Sequence, residues 1–340
     1  MPLSVEPVGT PGFSGSQVFA VEWPDMDGQF VLKSFHAAAS VEHARFVHRL
    51  VNHLRAEGLM QVPEVMPTAD GETVVTDSAG RLWELARFMP GATVPCPTPA
   101  QAASAATTLA RLHRAAADLP GQPVRRGFST GVALRIAQAR NLLAMPWQRR
   151  RGVLSQTAVQ AAADVIARFD AAITVFAGCG GRAFIERVAA TPPRECWQQV
   201  VLRDVWCDHV LFADQGREEV VAIIDLHAAG VDTPATDLAR LLGSWRVQPG
   251  RQSCSLINRW PEAIAAYEVE RPLSGVEVGL IPILHATAVV FGLDNWFRWI
   301  LDEQRTFADP QRVLARIEGL LQELPAALAT PGMAGDGNFD

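Results

Sequence analysis

Three residues have types and positions suited to chemistry on a phosphate: Lys33, Asp204 and Asp225. Lys33, in the run "GQFVLKSF", is the only lysine among 30 basic residues. Arginine presents a flat, bulky fork of five donors, whereas lysine presents a compact, mobile point charge that reaches one phosphate oxygen deep in a cleft. Coding bias also makes lysine rare, and a solvated strand position is the plain alternative for Lys33. Asp204 stands where the apolar part of "QQVVLRDVWCDHVLF" ends, and Asp225 closes a second apolar run, "VVAIID". Carboxylates at the ends of buried strands are costly without company, so each calls for a metal or for hydrogen-bond donors. A lone lysine, a glycine-rich stretch before it and two such aspartates form a layout for nucleotide phosphotransfer.

The elements that must position these groups follow from hydrophobic periodicity. "SQVFAVEW" and "GQFVLKSF" alternate as short strands across the turn "PDMDG", an antiparallel hairpin that carries Lys33. "GTPGFSGS" upstream is too rich in Gly and Ser for a strand. Ser40 as N-cap, Glu42 in the first turn and Ala44, Val47, Leu50, Val51 and Leu54 at helical spacing predict a helix before Gly58. "RLWELARFMPG" returns to strand, and the proline-rich "ATVPCPTPA" marks a hinge. The expectation is an α+β fold of two lobes: residues 1–90 as an antiparallel sheet with one helix, residues 91–328 mostly helical, and residues 329–340 a disordered tail. Within the helical lobe, the runs carrying Asp204 and Asp225 are expected to pair as one embedded hairpin across "ADQGR", setting both carboxylates on one rim of a cleft.

Composition narrows the function classes. At 340 residues, 49% hydrophobic and 19% charged, the chain has material for two lobes with a sizeable core. A formal charge of −6 lacks the basic footprint that nonspecific nucleic-acid binding requires. Five scattered cysteines, odd in number and without a CxxC pair, signal neither a zinc site nor a disulfide framework and fit a reducing cytoplasm. "MPLSVEPVGT" has no basic start followed by an apolar core, and the most apolar stretch, "GLIPILHATAVVFGLDNW", is interrupted by Pro282 and His285. A cytoplasmic protein with no membrane span and no nucleic-acid partner is expected; the oligomeric state stays open.

Together the motifs resemble the aminoglycoside phosphotransferase and choline kinase superfamily, with its homoserine-kinase-like members, the small-molecule branch of the protein-kinase-like fold. Its usual signature is His-Gly-Asp-x-x-x-x-Asn-x-Leu, an apolar strand ending Ile-Asp, then Asp-Pro-x-x-Asp-Leu-Ala; this chain has "LRDVWCDHVLF" and "VAIIDLHAAGVDTPATDLARLL". The glycine loop "PGFSGSQVF", the "VLK" strand, the "ELARFMPG" hinge and the "LARLHRA" helix extend the likeness over most of the chain. The resemblance implies a two-lobed protein-kinase-like fold and transfer of the γ-phosphoryl group of ATP, with Mg2+, to a hydroxyl of a small molecule: an amino alcohol, a homoserine-like compound or a sugar. It implies Asp204 as base or acceptor at the substrate hydroxyl and Asp225 as metal ligand. Lys33 would reach the α and β phosphates. The backbone around Gly12, Ser14, Gly15 and Ser16 would cover them, and the hinge backbone from Arg87 to Met89 would meet the adenine edge. Asp237 would accept backbone N–H bonds that hold the catalytic turn, and Glu42 either pairs with Lys33 or complements the helix dipole.

Two positions depart from the signature: Leu202 stands where the family usually has His, and His209 where it has Asn. Imidazole nitrogen suits magnesium poorly and manganese or zinc better. His209 is therefore expected to bind a softer metal such as Mn2+, to act through a water, or to donate to phosphate, with Asp208 beside it as an alternative oxygen ligand. These departures keep open a pseudokinase that binds nucleotide or a partner without transfer. Arg203 makes "LRD" look like a protein kinase's "HRD", but "DLH" in place of "DFG" weakens that alternative. His36, His43, His48 and His53 lack i, i+4 spacing and read as solvated or edge-of-core side chains. Trp296, Trp299 and Glu303 share a helical face that either lines the acceptor pocket or packs into the core. His113 reads as packing, and nothing near Cys207 argues for a lowered pKa. Arg298, Arg305, Asp302 and Glu303 mix charges near the expected acceptor, which suits a zwitterion better than a polycation.

Overall fold

The computed structural model describes residues 4–8, 16–23, 28–154, 156, 162–192, 194–214, 216–245 and 256–331. The first lobe is an antiparallel sheet of β1 (Ser4–Pro7), β2 (Val18–Glu22), β3 (Gln29–Ser34), β4 (Val75–Thr76) and β5 (Leu82–Arg87), in the order β1-β2-β3-β5-β4. Strand β3 lies between β2 and β5, and the register sets Lys33 opposite Val18 on one side and Glu84 on the other. Helix α1 (Val41–Ala56) begins at Ser40, whose hydroxyl accepts the His43 N–H and so satisfies one of the four donors a helix start leaves open. Its Val47, Leu50, Val51 and Leu54 belong to the main core, which runs on into the second lobe, while Ala44 packs with Phe35 and Leu82 under the sheet. One amphipathic helix thus seats the sheet on the helical lobe.

The second lobe opens with β6 (Ala92–Thr93) and α2 (Pro99–Ala117), the latter begun by a reciprocal capping box between Thr98 and Gln101. It continues with β7 (Arg125–Phe128), α3 (Thr130–Ala144), α4 (Trp147–Val153), α5 (Ala163–Gly178) and α6 (Gly181–Ala189). Two small sheets follow. Strand β8 (Glu195–Val201) lies between β7 and β11 (Gly230–Asp232), whereas β9 (Val210–Phe212) lies between β6 and β10 (Val220–Ile223). The expected hairpin is present in part: β9 and β10 pair antiparallel across "ADQGR", but the first run splits after β8, which joins the other sheet. The split has a local cause. Arg203 takes a left-handed backbone with φ of 64°, and the buried Asp237 carboxylate accepts the N–H groups of Leu202 and Arg203, which removes both donors from any ladder.

Helices α7 (Ala235–Ser244), α8 (Leu256–Arg259), α9 (Pro261–Glu270), α10 (Gly275–Phe297) and α11 (Pro310–Leu328) complete the lobe. Among the described residues one helix is long and apolar enough to cross a membrane, Gly275–Asp302, and 61% of its most apolar window is buried inside the protein. Helix α10 is the central core helix, packed on α7, α3 and α11, which explains why it is apolar all round. Past it the chain loosens into a π turn at Arg298–Asp302. Of the expected tail, 329–340, the first three residues are described, with Thr330 buried, and residues 332–340 lie outside the described residues.

Candidate active site

A polar line runs from the sheet lobe into the helical lobe. Lys33 Nζ sits 2.6 Å from Asp225 Oδ1. Asp225 follows β10 in a left-handed conformation with φ of 61°, costly for a residue with a Cβ and held here by its surroundings. Burial alone would raise the Asp225 pKa; the Lys33 ammonium, with His209 and His227, outweighs it and holds the carboxyl below its ordinary value. His209 Nε2 lies 3.7 Å from Asp225 Oδ2, and His209 Nδ1 donates to the Asp204 carbonyl at 2.8 Å. Arg240 then closes on the Asp204 carboxylate, its Nε and Nη2 both donating to Oδ1 at 3.0 and 2.8 Å. Lys33, Asp225 and Asp204, carried by three separate strands and loops, are thereby gathered at one place.

The loop around Asp204 is fixed from behind. Asp237, fully buried at the start of α7, accepts from Leu202 N–H at 2.6 Å, Arg203 N–H at 2.7 Å and His113 Nε2 at 2.9 Å. His113 in turn bonds the Tyr267 hydroxyl at 2.7 Å, so the expected packing histidine is a buried relay between three elements. Arg203 Nη2 donates to the Val231 carbonyl at 2.7 Å, lying over Gly230, where a Cβ would come within 2.7 Å of the guanidinium. Cys207 lies in the same loop; burial, with Asp208 beside it, pushes its thiol up to about 11, the thiol form that is inert at neutral pH.

Several expected contacts fall elsewhere. Glu42 is exposed and does not pair with Lys33; bonds to its own first turn at Ser40 hold its pKa down, as suits an acid at a helix N-terminus. Both nitrogens of His209 are engaged, because Trp206 Nε1 donates to Nε2 at 2.8 Å, so a metal at Nε2 would have to displace an indole N–H. Asp208 engages Arg312 of α11 and the Cys207 thiol instead of standing beside Asp225. At the hinge, Arg87 N–H is bonded to the Glu64 carbonyl and Phe88 N–H to the Gln29 carbonyl, so neither donor is open to an adenine edge. Ser16 stands just before β2, while Gly12, Ser14 and Gly15 lie outside the described residues. Among the described residues no group of three or more His, Cys, Asp or Glu side chains forms a ready metal cage. The carboxylate oxygens of Asp225 are the donor type magnesium takes, an ion that commonly uses one or two carboxylates and leaves its other positions to phosphates and water.

Sequence reasoning did not single out Glu84, His227, Arg240 or Arg135. Glu84 of β5 accepts from His48 Nε2 and His227 Nε2, each at 2.7 Å, and His227 stacks on Phe35 with ring centroids 3.9 Å apart. His48 is therefore buried and bonded, not solvated. His53 reaches the Ala115 carbonyl of α2 at 2.9 Å. Arg240 was within reach of the sequence, since it follows Asp237 by one helical turn and must share its face. Arg135 and Glu84 were not, because their neighbours come from distant elements.

Beyond Asp204 opens a cavity of about 480 Å3, lined by Arg135, Arg203, Arg240, Asp204, Phe291 and Asn295 among others. The late-helix charges do not line it: Arg298 pairs with Glu303, Arg305 lies over Trp299 and Phe307, and Arg150 takes Asp294 and Asp302. Trp296 is buried in the core.

Residues 9–273 match the model of the phosphotransferase enzyme family. A homoserine kinase of Methylocella silvestris is 27% identical over 288 residues, covering 84% of this chain and 79% of that one. Among solved structures, an amicoumacin kinase in complex with AMP-PNP, Ca2+ and Ami superposes with a TM-score of 0.59 at 14% identity, over 96% of this chain and 90% of the other. A microcompartment-associated aminopropanol kinase gives 0.57 at 17% identity, over 94% and 90%. The two structures share the fold, which is the protein-kinase-like one.

Proposed function

The chain belongs to the phosphotransferase enzyme family and is a small-molecule kinase, and from that premise we propose that it moves the γ-phosphoryl group of ATP to a hydroxyl of a compound about the size of homoserine. The observation that carries this is the row of neighbouring polar groups Lys33, Asp225, His209 and Asp204, whose last member lines the 480 Å3 cavity. The curated relatives named as homoserine kinases support a short acceptor.

In this scheme Lys33 exchanges Asp225 for α and β phosphate oxygens, the contact for which a point charge is better suited than a fork. Asp225 would hold Mg2+, and the chemistry that ion would supply is neutralisation of charge on the phosphates. The hydroxyl oxygen forms the new P–O bond, the bond to the β-phosphate oxygen breaks with its electron pair leaving on ADP, and the hydroxyl proton passes to Asp204. Arg240 occupies Oδ1 of Asp204 and fixes the carboxylate, so that Oδ2 takes the proton. Asp237 keeps the loop in place from below.

The test is ATP consumption by the purified protein with Mg2+, and separately Mn2+, against a panel of small hydroxyl compounds. Turnover that needs an acceptor and falls about 10²–10⁴-fold in Asp204→Ala is expected. Nucleotide binding without any acceptor-stimulated, Asp204-dependent turnover would instead establish a pseudokinase.

A further inference from the structure

The charge around the acceptor cavity is one-sided. Arg135 on α3, Arg203 on the Asp204 loop and Arg240 on α7 all line it, against two carboxylates, Asp204 and Asp232. Asp232 is buried and fully used: it accepts from the hydroxyls of Ser129 and Thr130 and from the N–H groups of Gly131 and Thr233, at 2.6 to 2.8 Å. Asp204 is held by Arg240 and has the hydroxyl to serve. No carboxylate is therefore left among the described lining residues for an ammonium group. Cation, by contrast, is in surplus. Arg135 is half-buried, its Nε is enclosed without a hydrogen-bond partner, and its one polar contact is Gln138 at 3.3 Å. Burial first and then the neighbouring Arg240 push its pKa down against the pull of Asp232, a carboxylate whose oxygens are already taken by four other donors. A second cation, Arg316, lies over the Trp206 ring that Arg240 also covers, and it too is depressed by burial and by Arg240.

Resting on the phosphotransfer reading above, we propose that the acceptor is a hydroxy acid: a compound whose carboxylate sits on Arg135, in the field of Arg203 and Arg240, and which carries no ammonium group. A guanidinium lining a cavity is the side chain best matched to a carboxylate, since the planar fork meets both oxygens. Bringing an ammonium into the same cavity would place like charges together with no compensating carboxylate, and such a juxtaposition selects against zwitterions and amino alcohols. Arg135 then acts as a specificity residue, with no part in the bond-making step.

Three probes isolate the two groups. Homoserine carries both carboxylate and ammonium, 4-hydroxybutyrate is homoserine without the ammonium, and 3-aminopropan-1-ol is homoserine without the carboxylate. Steady-state kinetics with Mg2+ and ATP should give 4-hydroxybutyrate a kcat/KM at least tenfold above homoserine and further still above 3-aminopropan-1-ol. Arg135→Met should raise KM for 4-hydroxybutyrate at least tenfold with a smaller change in kcat, and Arg135→Lys should recover part of that loss. If 3-aminopropan-1-ol or homoserine is the best of the three, the hydroxy-acid assignment is wrong while the kinase reading stands. If none supports Asp204-dependent turnover, the kinase reading fails for this acceptor size and calorimetric binding of the same probes decides the pocket separately. Binding of 4-hydroxybutyrate that is lost in Arg135→Met upholds it; no binding, or equal binding of 3-aminopropan-1-ol, overturns it.

Discussion

Asp237 does more for the site than its distance from the reacting atoms suggests. Its two oxygens satisfy two backbone donors and one imidazole in a place closed to water, and they hold the left-handed turn at Arg203 that presents Asp204. Removing a partner from buried donors costs about 1–3 kcal/mol for each one stranded. Asp237→Ala should therefore lose at least about 3 kcal/mol of stability, read as a lower urea midpoint at unchanged slope. An unchanged midpoint would show that water replaces the carboxylate. The role of Asp237 could be written from the motif "TDLARLL", as could the strand position of Lys33. The destination of Lys33 could not, because an ion pair between lobes depends on how the lobes pack. Glu42 looked like a partner for Lys33 by sequence placement alone, yet the pairing fails because the helix start turns that side chain to solvent.

At the level of elements, Glu84 ties three pieces together: its own strand β5, helix α1 through His48, and the turn after β10 through His227. Burial would raise the Glu84 pKa, and the two imidazoles, His227 first, overcome it and hold it well below its ordinary 4.5. A depressed carboxyl contributes stability that is complete above about pH 4.5 and drains away as pH falls toward the folded-state value. Glu84→Gln should thus unfold at lower urea than the parent at pH 7, with the gap narrowing steadily below about pH 4.5. A gap of constant size from pH 7 to pH 3 would assign the effect to packing. Strands and caps here were readable from periodicity, including the Ser40 cap and the hinge. The β9–β10 hairpin was readable as well, but the loss of β8 to a second sheet was not, because alternation reports which residues can form a strand and says nothing of which strand they pair with; the Asp237 carboxylate decided that.

For the whole molecule, the site spans a seam between the lobes, and the Lys33 to Asp225 contact is one of the bonds across it. A ligand that engages both sides of a seam stabilises the joined state by mass action. At about 100 times its Kd, Mg·ATP should add roughly 2.7 kcal/mol, which for a chain of this size is a Tm shift of about 4 °C. Differential scanning fluorimetry should find that shift in the parent and a smaller one in Asp225→Asn, with nucleotide and metal added together. An equal shift in both would place the metal away from Asp225. The continuous core through α1 makes the lobes one cooperative unit, so a single transition is expected in each case.

The left-handed Arg203 and the bare Gly230 beneath its guanidinium constrain one another. The three nearest atoms that a Cβ at 230 would meet all belong to the Arg203 side chain, so replacing Arg203 by glycine would remove them. Drift at the two sites should then be correlated: lineages that keep the arginine are confined to glycine at 230, and lineages with glycine at 203 are released from that restriction. An ancestor that acquired the arginine would have needed glycine at 230 already in place, which orders the two changes in time.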